Sequence, residues 1–286
     1  MRIIRTNAEM RAHRKQARGT LGLVPTMGAF HGGHHALMRA ARERCDEVVV
    51  SLFVNPAQFN EPADLDGYPR DEARDAELGR LGGVDVLYAP AVEEVYPPGF
   101  ATSVRVAGLS DVLEGAQRGS GHFAGVCTVV TKLFNVVTPD VGYFGQKDAQ
   151  QVAVLRRMVR DLDHPVELAI IPTVREPDGL AMSSRNQRLT ADERTRALAL
   201  SRALDAAEAE IAAGELDAEA IAARARAAMD GVQPEYLALV DPDSFQPVAT
   251  VAGRVLIAVA ARIGATRLID NTIVQPAATR ERAPTT

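Results

Sequence analysis

The sequence predicts an α/β fold, a doubly wound parallel sheet followed by a second, smaller α+β domain. Three observations predict it. Short apolar runs alternate with helix-spaced patterns as far as about residue 170, which is how βαβ units read in sequence. Most of those runs are apolar on both faces, as strands covered by helices on either side must be. After Pro172 the alternation stops, and two helical stretches precede three strand-like ones. The 286 residues suit roughly two domains of about 150 residues each, and the expected division is 1–172 and 173–286.

The strands of the first domain are Leu21–Val24, Val48–Val54, Val84–Tyr88, Val141–Phe144 and Val166–Ile171, brief runs rich in β-branched or aromatic residues. Helices fill the gaps. His34–Arg44 sets Leu37, Ala40 and Ala41 on one stripe, Val126–Val137 is stopped by Pro139, and Ala149–Leu162 spaces Val152, Leu155, Met158, Val159 and Leu162 helically. This is a Rossmann-like order of elements. In the second domain Thr190, followed three residues later by Glu193, is a capping box opening an Ala-rich helix to about Ala213. Asp217 opens another that ends near Gly231, and Tyr236–Val240, Arg254–Ala260 and Thr266–Ile273 close the fold as strands. The tail from Pro276 has no core-forming pattern and is expected to be disordered.

Composition narrows the function. Hydrophobic residues at 47% and charged residues at 24% are globular values. The net charge of -5, the absence of Trp and only 5% aromatic residues argue against a nucleic-acid partner, which would want basic stripes and stacking platforms. Only Lys15, Lys132 and Lys147 are lysines, every other basic side chain being Arg. No run approaches the roughly 20 apolar residues of a membrane span, and no leader pattern precedes the first charges, so a cytoplasmic protein is expected. Cys45 and Cys127 stand far apart and read as buried structural thiols.

The strongest local signal is Pro25-Thr26-Met27-Gly28-Ala29-Phe30-His31-Gly32-Gly33-His34, between the first strand and the first helix. Ligands of open α/β sheets bind at the carboxyl ends of strands, where this turn lies. Its glycines allow close backbone approach, and the helix N-terminus offers free N–H groups to phosphate. His31 and His34 are spaced to face that phosphate and stabilise charge as the α-phosphorus is attacked. Other readings stay open: a metal site of His31, His34 and His35, though no Cys or carboxylate cluster completes it, or a glycine turn with incidental histidines. A P-loop is excluded, because no G-K-[ST] follows.

Further polar segments follow other strand ends. Asn55 and Gln58 lie in Phe53-Val54-Asn55-Pro56-Ala57-Gln58-Phe59, and their neutral amides can bond a hydroxyl or carboxylate, although an ordinary polar turn would look the same. Gly145-Gln146-Lys147-Asp148 offers an ammonium to a triphosphate, with Asp148 alternatively a helix cap. Ser183, Ser184 and Arg185, after Asp178-Gly179, have phosphate-binding chemistry or belong to an interdomain linker.

His31-Gly32-Gly33-His34 resembles the H-x-G-H mark of a nucleotidyltransferase superfamily that includes class I aminoacyl-tRNA synthetases and cytidylyltransferases. Together with the segments 53–59, Asp64–Arg70, Phe144–Gln151, Pro172–Glu176 and Gly179–Asn186, the chain from about Thr20 to Asn271 resembles the pantoate:beta-alanine ligase (pantothenate synthetase) family. The resemblance implies an enzyme that joins pantoate to beta-alanine through a pantoyl adenylate, with ATP as substrate, Mg2+ as cofactor, and a homodimer. It implies ATP contacts from Met27, Gly28, Ala29, Phe30, His31, Gly32, Gly33, His34, Gly145, Gln146, Lys147, Asp148, Val174, Met182, Ser183, Ser184 and Arg185. Pantoate falls to Gln58 and Gln151, with Asn55 beside them, and beta-alanine near Gln58; His34 takes the proton-donor position, with His31 and Lys147 stabilising phosphate charge. A cytidylyltransferase-like enzyme is the alternative. One segment departs from the family: an extra residue within Gly119-Ser120-Gly121 separates Arg118 from His122, where a looser loop is expected.

Overall fold

A computed structural model describes residues 1–60, 62–119 and 121–276. Ser120 and the tail beyond Pro276 lie outside the described residues, and with them the expectations of a looser loop at Ser120 and of a disordered tail. The chain divides into two compact units, Met1–Glu176 with Ala181–Ser184, and Pro177–Leu180 with Arg185–Thr286.

The first unit runs β1 (Arg2–Ile4), α1 (Asn7–Gln16), β2 (Leu21–Thr26), α2 (Gly32–Arg44), β3 (Glu47–Leu52), α3 (Pro62–Asp66), α4 (Glu72–Leu81), β4 (Val86–Tyr88), α5 (Val92–Val95), α6 (Leu113–Arg118), α7 (Gly121–Val137), β5 (Val141–Gly145), α8 (Ala149–Asp161) and β6 (Glu167–Ile171). Its strands pair in the order β1-β4-β3-β2-β5-β6, all parallel. From β2 the chain proceeds to β3 on one side, while β5 adds to the other. The order therefore reverses between β2 and β5, and a ligand crevice opens at the carboxyl ends of strands beside such a point.

The predicted strands are present with shifted ends. Val48–Val54 stops at Leu52, because Pro56 cannot donate to the ladder and a 3-10 turn, Pro56–Gln58, begins there. Val84–Tyr88 starts at Val86, since the Val84 N–H is taken by the Gly79 carbonyl at the end of α4. Helix α2 starts two residues before His34, with His31 as its N-cap. The core on one face of the sheet gathers Val24, Phe30, Leu37, Met38, Val48, Val50, Leu87 and Tyr143, each large side chain contributing about 1.5–3 kcal/mol on burial. Cys45 and Cys127 are both buried, and the Cys45 thiol meets the Tyr143 hydroxyl at 3.3 Å.

In the second unit α9 (Ala191–Ala197), α10 (Ala199–Ala212) and α11 (Ala218–Ala227) precede β7 (Pro234–Val240), β8 (Val255–Ile263) and β9 (Thr266–Val274), an antiparallel sheet with β8 in the centre. Leu200, Leu204 and Ile211 of α10 and Ile221 of α11 pack with Ile257 and Val259 of β8. The Thr190 capping box forms as predicted, but the Ala-rich stretch is two helices joined at Leu198 instead of one.

Candidate active site

The turn after β2 is shaped before any ligand is considered. Gly28 has φ 89° and Ala29 has φ 53°, left-handed conformations that an Ala adopts only when held there. The hold is Asp75 of α4. Asp75 is 2% exposed, and its carboxylate accepts the Ala29 and Phe30 N–H groups, each at 2.8 Å. A cavity of about 730 Å³ opens beside it at the carboxyl ends of β2 and β3, among Met27, Leu52, Phe53, Pro56 and Asp75.

His31 caps α2. Its Nδ1 accepts the Gly33 N–H at 3.1 Å, while the His31 N–H donates to His34 Nδ1 at 3.3 Å, a reciprocal capping box made by two imidazoles. The rings lie 4.2 Å apart. Burial holds the His34 ring well below its usual range, at about 3, and burial followed by the positive charge of Lys147 holds His31 at about 4. Both are neutral at pH 7. With each Nδ1 acting as acceptor, the single proton of each ring sits on Nε2. The turn thus presents two neutral N–H donors, the hydrogen-bond polarity that phosphate oxygens require.

Lys147 and Asp148 sit in the short turn Gln146–Asp148 that follows β5, on the other side of the strand-order reversal. Their charges reach His31 with opposite effects, so the two strand-end segments converge. Asp148 stands at the N-cap of α8, as the helix-cap reading has it, but its side chain makes no capping hydrogen bond. Of the adjacent glutamines, Gln150 is buried and committed to the loop before α6: its amide donates to the Leu109 and Val112 carbonyls at 2.6 and 2.8 Å and accepts from the Glu114 N–H at 2.9 Å. Gln151 is half-buried beside it.

Asn55 and Gln58 are linked side chain to side chain. Asn55 Nδ2 donates to Gln58 Oε1 at 2.9 Å and to the Gly125 carbonyl at 3.1 Å, and Gln58 Nε2 reaches Met27 Sδ at 3.1 Å. Gly125 of α7 has to be glycine, since a Cβ there would lie 2.2 Å from the Ala57 carbonyl oxygen. His122, one helical turn earlier, donates from Nδ1 to the Gln58 carbonyl at 2.8 Å, and burial keeps its ring neutral, at about 4. Arg118 instead pairs with Glu114 at 2.9 Å.

Val174 and Met182 face each other across a narrow hairpin, the Met182 N–H donating to the Val174 carbonyl at 2.9 Å. Met182 packs on Gly32, where a Cβ would lie 2.7 Å from its sulfur. Ser183 and Ser184 follow within the first unit, whereas Arg185 belongs to the second. Among the described residues no group of three or more His, Cys, Asp or Glu is arranged to hold a metal ion, so the three-histidine metal site finds no support. Asp75 and Tyr96 are the residues that sequence reasoning missed.

Comparison with known proteins adds an independent line. A family profile described as pantoate-beta-alanine ligase matches residues 2–273. The pantothenate synthetase of Moorella thermoacetica is 52% identical over 282 residues, covering 96% of this chain and 99% of its own, and that of Heliobacterium modesticaldum is 54% identical over 286 residues, covering 96% and 100%. Among solved structures, the pantoate-beta-alanine ligase (pantothenate synthetase) of Thermus thermophilus superposes with a TM-score of 0.91 at 47% identity over 95% of this chain and 99% of that one. The pantoate-beta-alanine ligase of Francisella tularensis complexed with beta-gamma ATP and beta-alanine gives 0.78 at 33% identity over 96% and 97%.

Proposed function

The chain belongs to the pantoate-beta-alanine ligase family, and from that premise we propose how its residues carry out the ATP-dependent ligation of pantoate with beta-alanine. A carboxylate is a poor acyl donor until one of its oxygens becomes part of a good leaving group. In the first step a pantoate carboxylate oxygen attacks the α-phosphorus of ATP, forming an O–P bond as the bond to pyrophosphate breaks. In the second, the beta-alanine amine attacks the acyl carbon of the adenylate and forms the C–N bond, AMP departs with the electron pair of the broken C–O bond, and the surplus proton of the nitrogen passes to solvent.

The Nε2–H groups of His31 and His34 donate to phosphate oxygens on which charge grows, a task that preorganised donors perform best in a dry site. His34 acts as a neutral donor and not as an imidazolium acid, because burial holds its ring at about 3. Lys147 supplies the positive charge for the triphosphate. The backbone from Met27 to His34, with Gly145–Asp148, Val174 and Met182–Ser184, makes the remaining ATP contacts, and Gln58, Gln151 and Asn55 bind pantoate. Mg2+ would fit as an ion carried on the triphosphate, since it is commonly held by one or two carboxylates together with substrate phosphates and water, and Asp148 and Glu176, whose negative charges both reach His31, are carboxylates that would serve. When bound, it neutralises charge as pyrophosphate departs. The protein is further proposed to be a cytoplasmic homodimer, which light scattering and cell fractionation test.

One observation carries the assignment: two strand-end segments, 27–34 and 145–148, meet where the strand order reverses, with both capping imidazoles locked as Nε2–H donors. ATP–pyrophosphate exchange with purified protein tests it. Exchange is expected only with pantoate and is lost in His34→Ala and Lys147→Ala; exchange that ignores pantoate, proceeds with CTP, or survives both substitutions refutes it.

A further inference from the structure

A glutamine can offer a ligand either its carbonyl oxygen or its amide nitrogen, two chemically opposite ends of similar shape. At Gln58 the surroundings choose. Two backbone groups first fix the neighbouring Asn55, which is 1% exposed: the Ala57 N–H donates to Asn55 Oδ1 at 3.2 Å, and the Gly125 carbonyl accepts from Asn55 Nδ2 at 3.1 Å. Turning the Asn55 amide over would set donor against donor and acceptor against acceptor at both. A third partner tightens this orientation, the Tyr96 hydroxyl donating to Asn55 Oδ1 at 2.8 Å. That is the shortest of the bonds that Asn55 makes to these groups. The Tyr96 ring is itself set between Phe53 and Phe100, with centroids 6.1 and 5.2 Å away. The orientation then propagates: Asn55 Nδ2 donates to Gln58 Oε1 at 2.9 Å, which occupies the glutamine's acceptor end and turns Nε2 toward Met27 and the H-x-G-H turn.

We propose that Tyr96 is a positioning residue for the ligation, acting through Asn55 to make Gln58 present only N–H donors, the polarity that selects an acceptor-rich oxyacid such as pantoate. The relay rests on the assignment of Gln58 to pantoate. Tyr96→Phe removes one oxygen atom and leaves the ring stacking intact. Asn55 keeps its bonds to Ala57 and Gly125 but loses the shortest of the three, and so holds Gln58 less firmly.

The test is the KM for each substrate in pantoate-dependent ATP–pyrophosphate exchange, which excludes beta-alanine from the measurement. Tyr96→Phe is expected to raise the KM for pantoate about three- to tenfold, the effect of one lost neutral hydrogen bond, and to leave the KM for ATP within about twofold. A purely structural loss would move both together. Asn55→Asp, which sets a carboxylate oxygen against Gln58 Oε1, is expected to raise the pantoate KM further. The deciding comparison is Tyr96→Phe in a Gln58→Ala background, where it should add nothing. If Gln58→Ala alone leaves the pantoate KM unchanged, the assignment of Gln58 falls and the relay with it. If Gln58→Ala raises it but Tyr96→Phe does not, or if the two effects multiply independently, the relay is overturned while Gln58 keeps its role.

Discussion

Removing the Asp75 carboxylate tests whether the turn after β2 is held from behind by α4. In Asp75→Ala two charge-assisted hydrogen bonds to backbone N–H groups disappear, each worth about 1.5–3 kcal/mol. Ala29 also loses what holds it at φ 53°, a conformation costing roughly 1–2 kcal/mol for an L-residue. The full sum is not expected to appear. The adjoining cavity lets water reach the exposed N–H groups, and the turn relaxes toward ordinary backbone angles. A surviving loss of about 2–3 kcal/mol is expected, visible in urea as a midpoint lowered by roughly 1 M or more at the slopes usual for proteins. Because the relaxed turn no longer aims Met27–His34, pantoate-dependent ATP–pyrophosphate exchange should fall about 30- to 150-fold when the same energy is lost from the transition state. Asp75→Asn is the sharper variant. It keeps the shape but offers one acceptor, and its NH2 group faces a backbone N–H, so it should lose most of the same activity. An Asp75→Asn protein with a wild-type exchange rate and an unchanged midpoint would show that the turn holds its conformation unaided, and the account of Ala29 would be wrong.

The depressed histidines make stability depend on pH in a stated direction. Unfolded imidazoles take up protons near pH 6.5, whereas folded His31 and His122 do so near 4 and His34 near 3, so the unfolded chain binds more protons in between. The contribution is therefore complete above about pH 6.5 and is lost as pH falls toward 4, each ring adding a slope of about 1.4 kcal/mol per pH unit. Urea midpoints at pH 5 and pH 7 should show it, and His34→Asn should flatten the slope; an equal slope in the variant would show that burial does not keep the His34 ring from taking up a proton. Gly33→Ala puts a Cβ 2.9 Å from the His31 ring and should cost about tenfold or more in exchange, whereas Gly32→Ala meets only the end of the Met182 side chain and should stay within about threefold. Lys147→Arg keeps the charge but replaces a compact ammonium with a planar fork, and a drop of about tenfold in exchange is expected, while Lys147→Ala should lose about 100-fold or more. Equal activities of the Arg and Ala variants would remove the geometric requirement at that position.

The parts of this protein legible in its sequence are those whose signal is local. Buried parallel strands such as Val48–Val50 announce themselves by apolar runs, and the Thr190 capping box by two residues at a fixed spacing. The H-x-G-H turn is legible because its glycines and histidines stand next to one another. Strand β1 escapes such a reading because it is three residues long with only Ile4 buried, so no alternation can show. The break at Leu198 escapes it because both flanking stretches are good helix formers, and nothing in their composition marks a stop. Asp75 and Tyr96 are illegible for a different reason. Each acts on residues about 40 positions or more away in the chain, and locally one reads as an acid on a helix surface and the other as an aromatic before a proline turn. Similarly, chemistry alone could not tell Gln150 from Gln151 in the sequence; that Gln150 is structural shows only in the Leu109–Glu114 loop, which occupies every end of its amide.

The chemistry of the site comes from which ring nitrogen each histidine commits to the backbone. His31 and His34 give their Nδ1 atoms to N–H groups of the α2 cap, and so each keeps its proton on Nε2. His122 does the reverse, spending its Nδ1 proton on the Gln58 carbonyl, which leaves its Nε2 an acceptor. Three imidazoles of the same kind, all neutral through burial, thus divide into two donors at the turn after β2 and one that clamps the backbone of Gln58. Neutrality has a further consequence. Rings that carry no charge add none to the turn, and the positive charge felt at His31 is that of Lys147. Its presence in turn helps to keep that ring neutral, since a second positive charge at the cap would repel it. The neutral donors of the turn after β2 and the Lys147 cation of the turn after β5 are therefore separate residues that follow separate strands, on either side of the reversal of strand order between β2 and β5.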